Sequence, residues 1–72
     1  MDDLVKRLLT LDPGWASVAE ITCTLEPDDP EARSELRRQL RSLVNTGPVR
    51  SIYVRHRGEP MLCIYLGSDL LS

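Results

Sequence analysis

The stretch DDPEARSELRRQLRSLVNTGP, residues 28–48, carries both the start and the stop of a helix within itself. Asp29 is an N-cap, Pro30 suits the first helical position and Glu31 places a negative charge in the first turn. Gly47 supplies a left-handed C-terminal residue, and Pro48 prevents continuation. The predicted helix runs from Pro30 to about Asn45. Its apolar positions Ala32, Leu36, Leu40, Leu43 and Val44 fall within roughly 120° of one face at about 100° per residue. Ser34, Arg37, Arg38, Arg41 and Asn45 fall on the opposite side, and Arg33 lies near the boundary.

Reading outward from this helix, the upstream segment divides into two shorter ones. Ser17 can cap a helix, with Glu20 three residues later in the capping-box position, and Val18, Ile21 and Leu25 form its apolar stripe. Glu26-Pro27 ends it, because proline disfavours helix in the residue before it. A first helix is expected from Asp2 or Asp3 to Leu11, with Leu4, Val5, Leu8, Leu9 and Leu11 at helical spacing, and Asp12-Pro13-Gly14 as the following turn. Trp15 is expected to pack at the junction of these two helices. Downstream the period changes: Val49–Arg55 and Met61–Leu66 read as two strands of a hairpin. His56-Arg57-Gly58-Glu59-Pro60 is the expected polar turn. The predicted core brings together Leu8, Ile21, Leu36, Leu40, Leu43 and Ile64.

Composition narrows the class of protein. Seventy-two residues, 42% hydrophobic and 28% charged, suit one small globular domain spanning 1–72. Two cysteines and one histidine offer neither a structural zinc site nor a disulfide framework, and Cys23 and Cys63 are expected to be small buried apolar groups. No apolar run reaches the roughly 18 residues of a membrane span, and the acidic Met1-Asp2-Asp3 start is unlike a secretory signal. The expectation is a cytoplasmic domain, not an enzyme, without cofactor or metal.

The net charge of −2 hides a segregation. Residues 1–32 carry two basic against eight acidic side chains, a net of −6. Residues 33–57 carry seven arginines (Arg33, Arg37, Arg38, Arg41, Arg50, Arg55 and Arg57) against Glu35 alone, a net of +6. Glu59 and Asp69 complete the sum with −2 over residues 58–72. Every base in the central block is arginine, whose planar fork makes bidentate contacts to phosphates and guanine edges.

Helix, short helix, tight connection, basic helix ending Asn45-Thr46-Gly47, then hairpin: this order resembles the winged helix-turn-helix superfamily. The resemblance rests on Ser17-Val18-Ala19-Glu20-Ile21 followed by Leu36 to Val49, and it covers nearly the whole chain. It implies an α+β fold of three helices followed by a two-stranded wing. It also implies a small repressor-like regulator of transcription that binds double-stranded DNA, of the kind encoded by bacteria, phages or mobile elements. Arg33, Ser34, Arg37 and Arg38 would reach base edges in a major groove, while Arg41 and Asn45 would contact phosphates. Arg55, His56 and Arg57 at the wing tip would lie along the backbone or a minor groove. Dimers of such modules bind paired half-sites, and Leu70, Leu71, Met61 and one face of the first helix are the apolar surfaces available for a homodimer.

One departure favours a different partner. Glu26-Pro27-Asp28-Asp29 is acidic and lies beside the start of the presumed recognition helix, where phosphates would approach. The alternative function is therefore a protein-binding winged helix that inhibits or assembles an acidic protein partner.

Overall fold

The computed structural model describes residues 3–47 and 49–67. Three helices and three strands follow in the order α1 (Asp3–Leu8), β1 (Gly14–Ser17), α2 (Val18–Leu25), α3 (Pro30–Thr46), β2 (Ser51–His56) and β3 (Glu59–Leu66). The strands form one antiparallel sheet in the order β1-β3-β2, so the last strand lies in the middle. The fold is α+β, as expected, but the sheet has three strands and not two.

The additional strand is β1. It pairs Gly14, Trp15, Ala16 and Ser17 with Leu66, Tyr65, Ile64 and Cys63. Four residues with Gly and Ala among them have little strand propensity of their own, so pairing with β3 makes this a strand. Trp15 accordingly does not fill the junction of the first two helices. It stands half-exposed on the sheet, edge-on to Tyr65 with ring centroids 5.4 Å apart.

The helices obey their caps. The Ser17 hydroxyl accepts the Glu20 amide at 3.0 Å, which turns β1 directly into α2. One Asp29 carboxylate oxygen accepts from the amides of Glu31 at 3.0 Å and Ala32 at 3.2 Å, opening α3 behind Pro30. Gly47 closes it at φ 89°, a conformation that costs glycine little. Helix α1 stops at Leu8, short of the expected Leu11. Thr10 and Leu11 instead make three-residue bonds back to Arg7 and Leu8, and the Thr10 hydroxyl donates to the Arg7 carbonyl at 2.6 Å. Leu11 still packs against the core from this tightened turn.

The core lies between the helices and the inner face of the sheet. Leu4, Val5 and Leu8 of α1, Val18 and Ile21 of α2, and Leu36 and Leu40 of α3 meet Leu62, Ile64 and Leu66 of β3, with Val49 joining them. Leu43 is half-buried at the margin, and the other five expected core residues are buried. Of the cysteines, Cys63 is buried but Cys23 is exposed. Cys23 lies off the Val18–Ile21–Leu25 stripe of α2, so its position turns it outward.

The hairpin turn is tighter than its five polar residues suggest. His56 pairs with Glu59 and Arg55 with Pro60, which leaves Arg57 and Gly58 as a two-residue turn. Their φ values of 53° and 83° are both positive, as the hairpin-compatible type I′ turn requires. Pro60 therefore sits in β3, at a point where β2 is its only neighbour strand and a missing N–H is tolerated. Leu70 and Leu71, the apolar tail read as a dimerisation element, lie outside the described residues.

Candidate nucleic-acid interface

Helix α3 presents Ser34, Arg37, Arg38, Arg41 and Asn45 to solvent, all exposed, on an arc of about 100° opposite Leu36 and Leu40. Arginines on one stripe are not equivalent, because some are already engaged. Arg38 is hydrogen-bonded and ion-paired to Glu35, and Gln39 donates to the same carboxylate at 3.4 Å. Both partners are solvent-exposed, so the pair is worth little to stability, but it offsets the Arg38 charge. Arg37 and Arg41 make no hydrogen bond or ion pair among the described residues. Among the described residues they are the two cations of α3 free to meet a ligand.

Arg33 has a different task. It is half-buried on the core side of the helix, and one guanidinium nitrogen donates to the carbonyls of Glu26 and Pro27 at 3.0 Å each. These carbonyls belong to the end of α2 and the link to α3, where helix geometry leaves acceptors without internal partners. A second arginine serves the same region. Arg7 of α1 donates to Leu25 O at 3.3 Å and pairs with Glu26 at 3.4 Å. Arg7 and Arg33 thus both hold the end of α2 and its link to α3, and the Arg33 guanidinium is spent there and not on the Arg37–Arg41 stripe.

The N-terminal third of α3 is not basic. Glu31 and Glu35 line a shallow depression with Pro30, Ser34 and Arg38. Asp28 and Asp29 precede it. Asp29 spends its carboxylate on the cap, whereas Asp28 is exposed and makes no bond among the described residues. Ser34 therefore sits beside Glu31 and Glu35 as well as Arg38, and the uncommitted arginines of the helix begin at Arg37.

The hairpin places its three expected residues in three directions. Residues directly opposed across an antiparallel pair share a face, and neighbours along a strand alternate. Arg55 shares the inner face, the side on which the helices lie, with Tyr53, Pro60 and Leu62. His56 is on the outer face with Val54 and Glu59. Arg57 is at the tip, held at positive φ by the turn. Arg55 donates weakly to Gly58 O at 3.5 Å.

Tyr53 was absent from the expected site. It is 67% exposed on the same side of β2 as Arg55, and with Arg55, Gly58 and Pro60 it lines a second depression. The alternation of strand residues, Tyr53 two before Arg55, is the signal that could have found it. The helix and hairpin sets line separate depressions. Among the described residues, no group of three His, Cys, Asp or Glu side chains could hold a metal, and no helix is long and apolar enough to cross a membrane. Comparison with family models, curated proteins and solved structures returns no match.

Proposed function

We propose that this chain is a winged helix-turn-helix module that binds double-stranded DNA and acts as a small, repressor-like regulator by occupying its site. The observation that carries the reading is the pair Arg37 and Arg41, exposed and uncommitted on the face of α3 opposite the core. Arginine is suited to both phosphate and guanine edges, and a helix of this width fits a major groove. The element order supports the same reading: α2 and α3 joined by a short clamped link, then a hairpin with arginines at its tip and on its inner side. In this pose α3 is the recognition helix and β2–β3 the wing. Arg37 reaches base edges, Arg41 and Asn45 meet phosphates, and Arg55 and Arg57 follow the backbone beside them.

A second reading is favoured by the acids at the start of α3. Asp28, Glu31 and Glu35 would stand near phosphates in the usual docking pose, at an energetic cost. A protein partner that is itself acidic opposite Arg37 and Arg41, and basic or polar opposite Glu31, would match both halves of the helix. Fluorescence anisotropy separates the two. DNA binding gives a log–log salt slope near −0.9 for each phosphate neutralised on duplexes, including the DNA upstream of the chain's own gene. Absence of salt-dependent binding to any duplex assigns the arginine face to a protein.

A further inference from the structure

Apart from buried Cys63, the outer face of the sheet takes no part in the core or in the DNA-binding pose. By the register it carries Trp15 and Ser17 of β1, Tyr65, Cys63, Met61 and Glu59 of β3, and Ile52, Val54 and His56 of β2. Arg50, just before β2, accepts the Tyr65 amide at its carbonyl and lays its guanidinium 5.4 Å from the Tyr65 ring centroid. None of these residues belongs to the core cluster. Trp15, Ile52 and Val54 are 49%, 43% and 40% exposed, an unusual concentration of bare apolar side chains on so small a domain.

We propose that this face is the contact between two copies of the chain, packed sheet against sheet with their strands antiparallel. The polarity of the face supports that occupant and that orientation. Arg50 marks one end, beside the aromatic pair Trp15–Tyr65. Glu59 marks the other end, beyond Val54 and Met61, and makes no ion pair among the described residues. The two charges are separated by about six residues of strand, roughly 20 Å. A two-fold axis along β3 would set Glu59 on Glu59 and leave both carboxylates without a counter-charge, with Arg50 over Trp15 of the second copy. A two-fold axis across the strands lays each strand over its own counterpart and brings the Arg50 end of each copy over the Glu59 end of the other, twice. Arg50 then stands above His56, with Glu59 one strand spacing, about 4.8 Å, to the side. The same axis lays Ile52 of each copy over Val54 of the other, so the exposed aliphatic side chains of β2 cover one another. The face is thus complementary to itself in charge from end to end and in its aliphatic middle, as an isologous interface must be.

The area sets the strength. Three strands about 4.8 Å apart and about 20 Å long give a footprint on the order of 300 Å². Stable interfaces remove about 800 Å² of accessible surface from each partner, so this contact is at the small end and the dimer is weak. Area does not fix affinity, but a contact of this size is expected to dissociate in the micromolar range and not below it.

Trp15 is the sole tryptophan, so its emission reports the contact directly. Sedimentation equilibrium and Trp15 fluorescence are measured together at pH 7.5 over about 5–500 µM, a range that brackets the expected constant. The wild type should pass from monomer to dimer, with Trp15 emission shifting to the blue as it does so. Arg50→Glu and Glu59→Arg should each weaken association at least tenfold, and the double reversal Arg50→Glu/Glu59→Arg should recover to within about threefold of wild type. Ile52→Lys, at an exposed edge-strand position, should give a folded monomer with an unchanged melting curve. A wild type that stays monomeric throughout overturns the proposal. So does a dimer indifferent to Ile52→Lys, or a double reversal as weak as the two single changes combined. None of these readouts involves DNA, so they fail or succeed independently of the DNA-binding reading.

Discussion

Replacing Arg33 by alanine separates a structural arginine from a ligand-binding one within a single helix. The guanidinium makes two bonds of 3.0 Å, to Glu26 O in part-buried surroundings and to Pro27 O near solvent. A hydrogen bond from a charged donor contributes about 1.5–3 kcal/mol when buried, and an exposed one only a few tenths. Discounting the buried figure for partial exposure leaves about 1–2 kcal/mol for the two together. A domain of this size loses about 4–8 °C of melting temperature per kcal/mol, so Arg33→Ala should melt about 5–15 °C lower. DNA affinity, measured well below that transition, should stay within about twofold of wild type, since under 0.5 kcal/mol of the substitution reaches the binding face. Thermal circular dichroism and fluorescence anisotropy on one preparation give both numbers. An unchanged melting temperature together with a large loss of affinity would refute the reasoning, because it would mean that Arg33 points outward with Arg37.

Three further outcomes follow from the same geometry. Leu40→Ala removes a fully buried side chain and should cost about 2–5 kcal/mol in urea unfolding, whereas half-buried Leu43→Ala should cost roughly half as much; equal costs would place the core elsewhere. Gly58→Ala, at φ 83°, should lose about 1 kcal/mol through backbone strain alone, since no atom beyond its two chain neighbours lies within 4 Å of the added Cβ, and a neutral result would mean that the two-residue turn does not form. Arg37→Ala should cost about 1–3 kcal/mol on a cognate duplex and relax preference at one base pair, while Glu35→Ala, by releasing Arg38, should raise affinity; an Arg38→Ala effect larger than that of Arg37→Ala would contradict this order.

What could be read from the sequence was what local chemistry determines. The cap at Asp29, the stop at Gly47 and the stripe of Leu36 and Leu40 each depend on neighbours within one helical turn, and all three were legible. Strand β1 was not, because Gly14–Ser17 becomes a strand only through Leu66 to Cys63, about fifty residues away along the chain. The hairpin was legible but its turn was not, since Arg57 is an uncommon choice for a position with positive φ. Among the candidate site residues, charge type and helix face were legible, but commitment was not. That Arg33 is spent on the α2–α3 link and Arg38 on Glu35, while Arg37 and Arg41 stay free, depends on where other elements end. Cys23 was misread for a simpler reason: its helical position alone places it off the apolar stripe.

The central claim is that the uncommitted arginines meet phosphates and bases, and the salt dependence of binding tests it most directly. Anisotropy of a labelled duplex is followed between about 50 and 200 mM salt for the wild type, Arg41→Ala and Arg57→Ala. The predicted result is a linear fall of log affinity with log salt in the wild type, and a slope smaller by about one unit in each variant. A wild-type slope that neither substitution changes, or no binding to any duplex at the lowest salt, would contradict it.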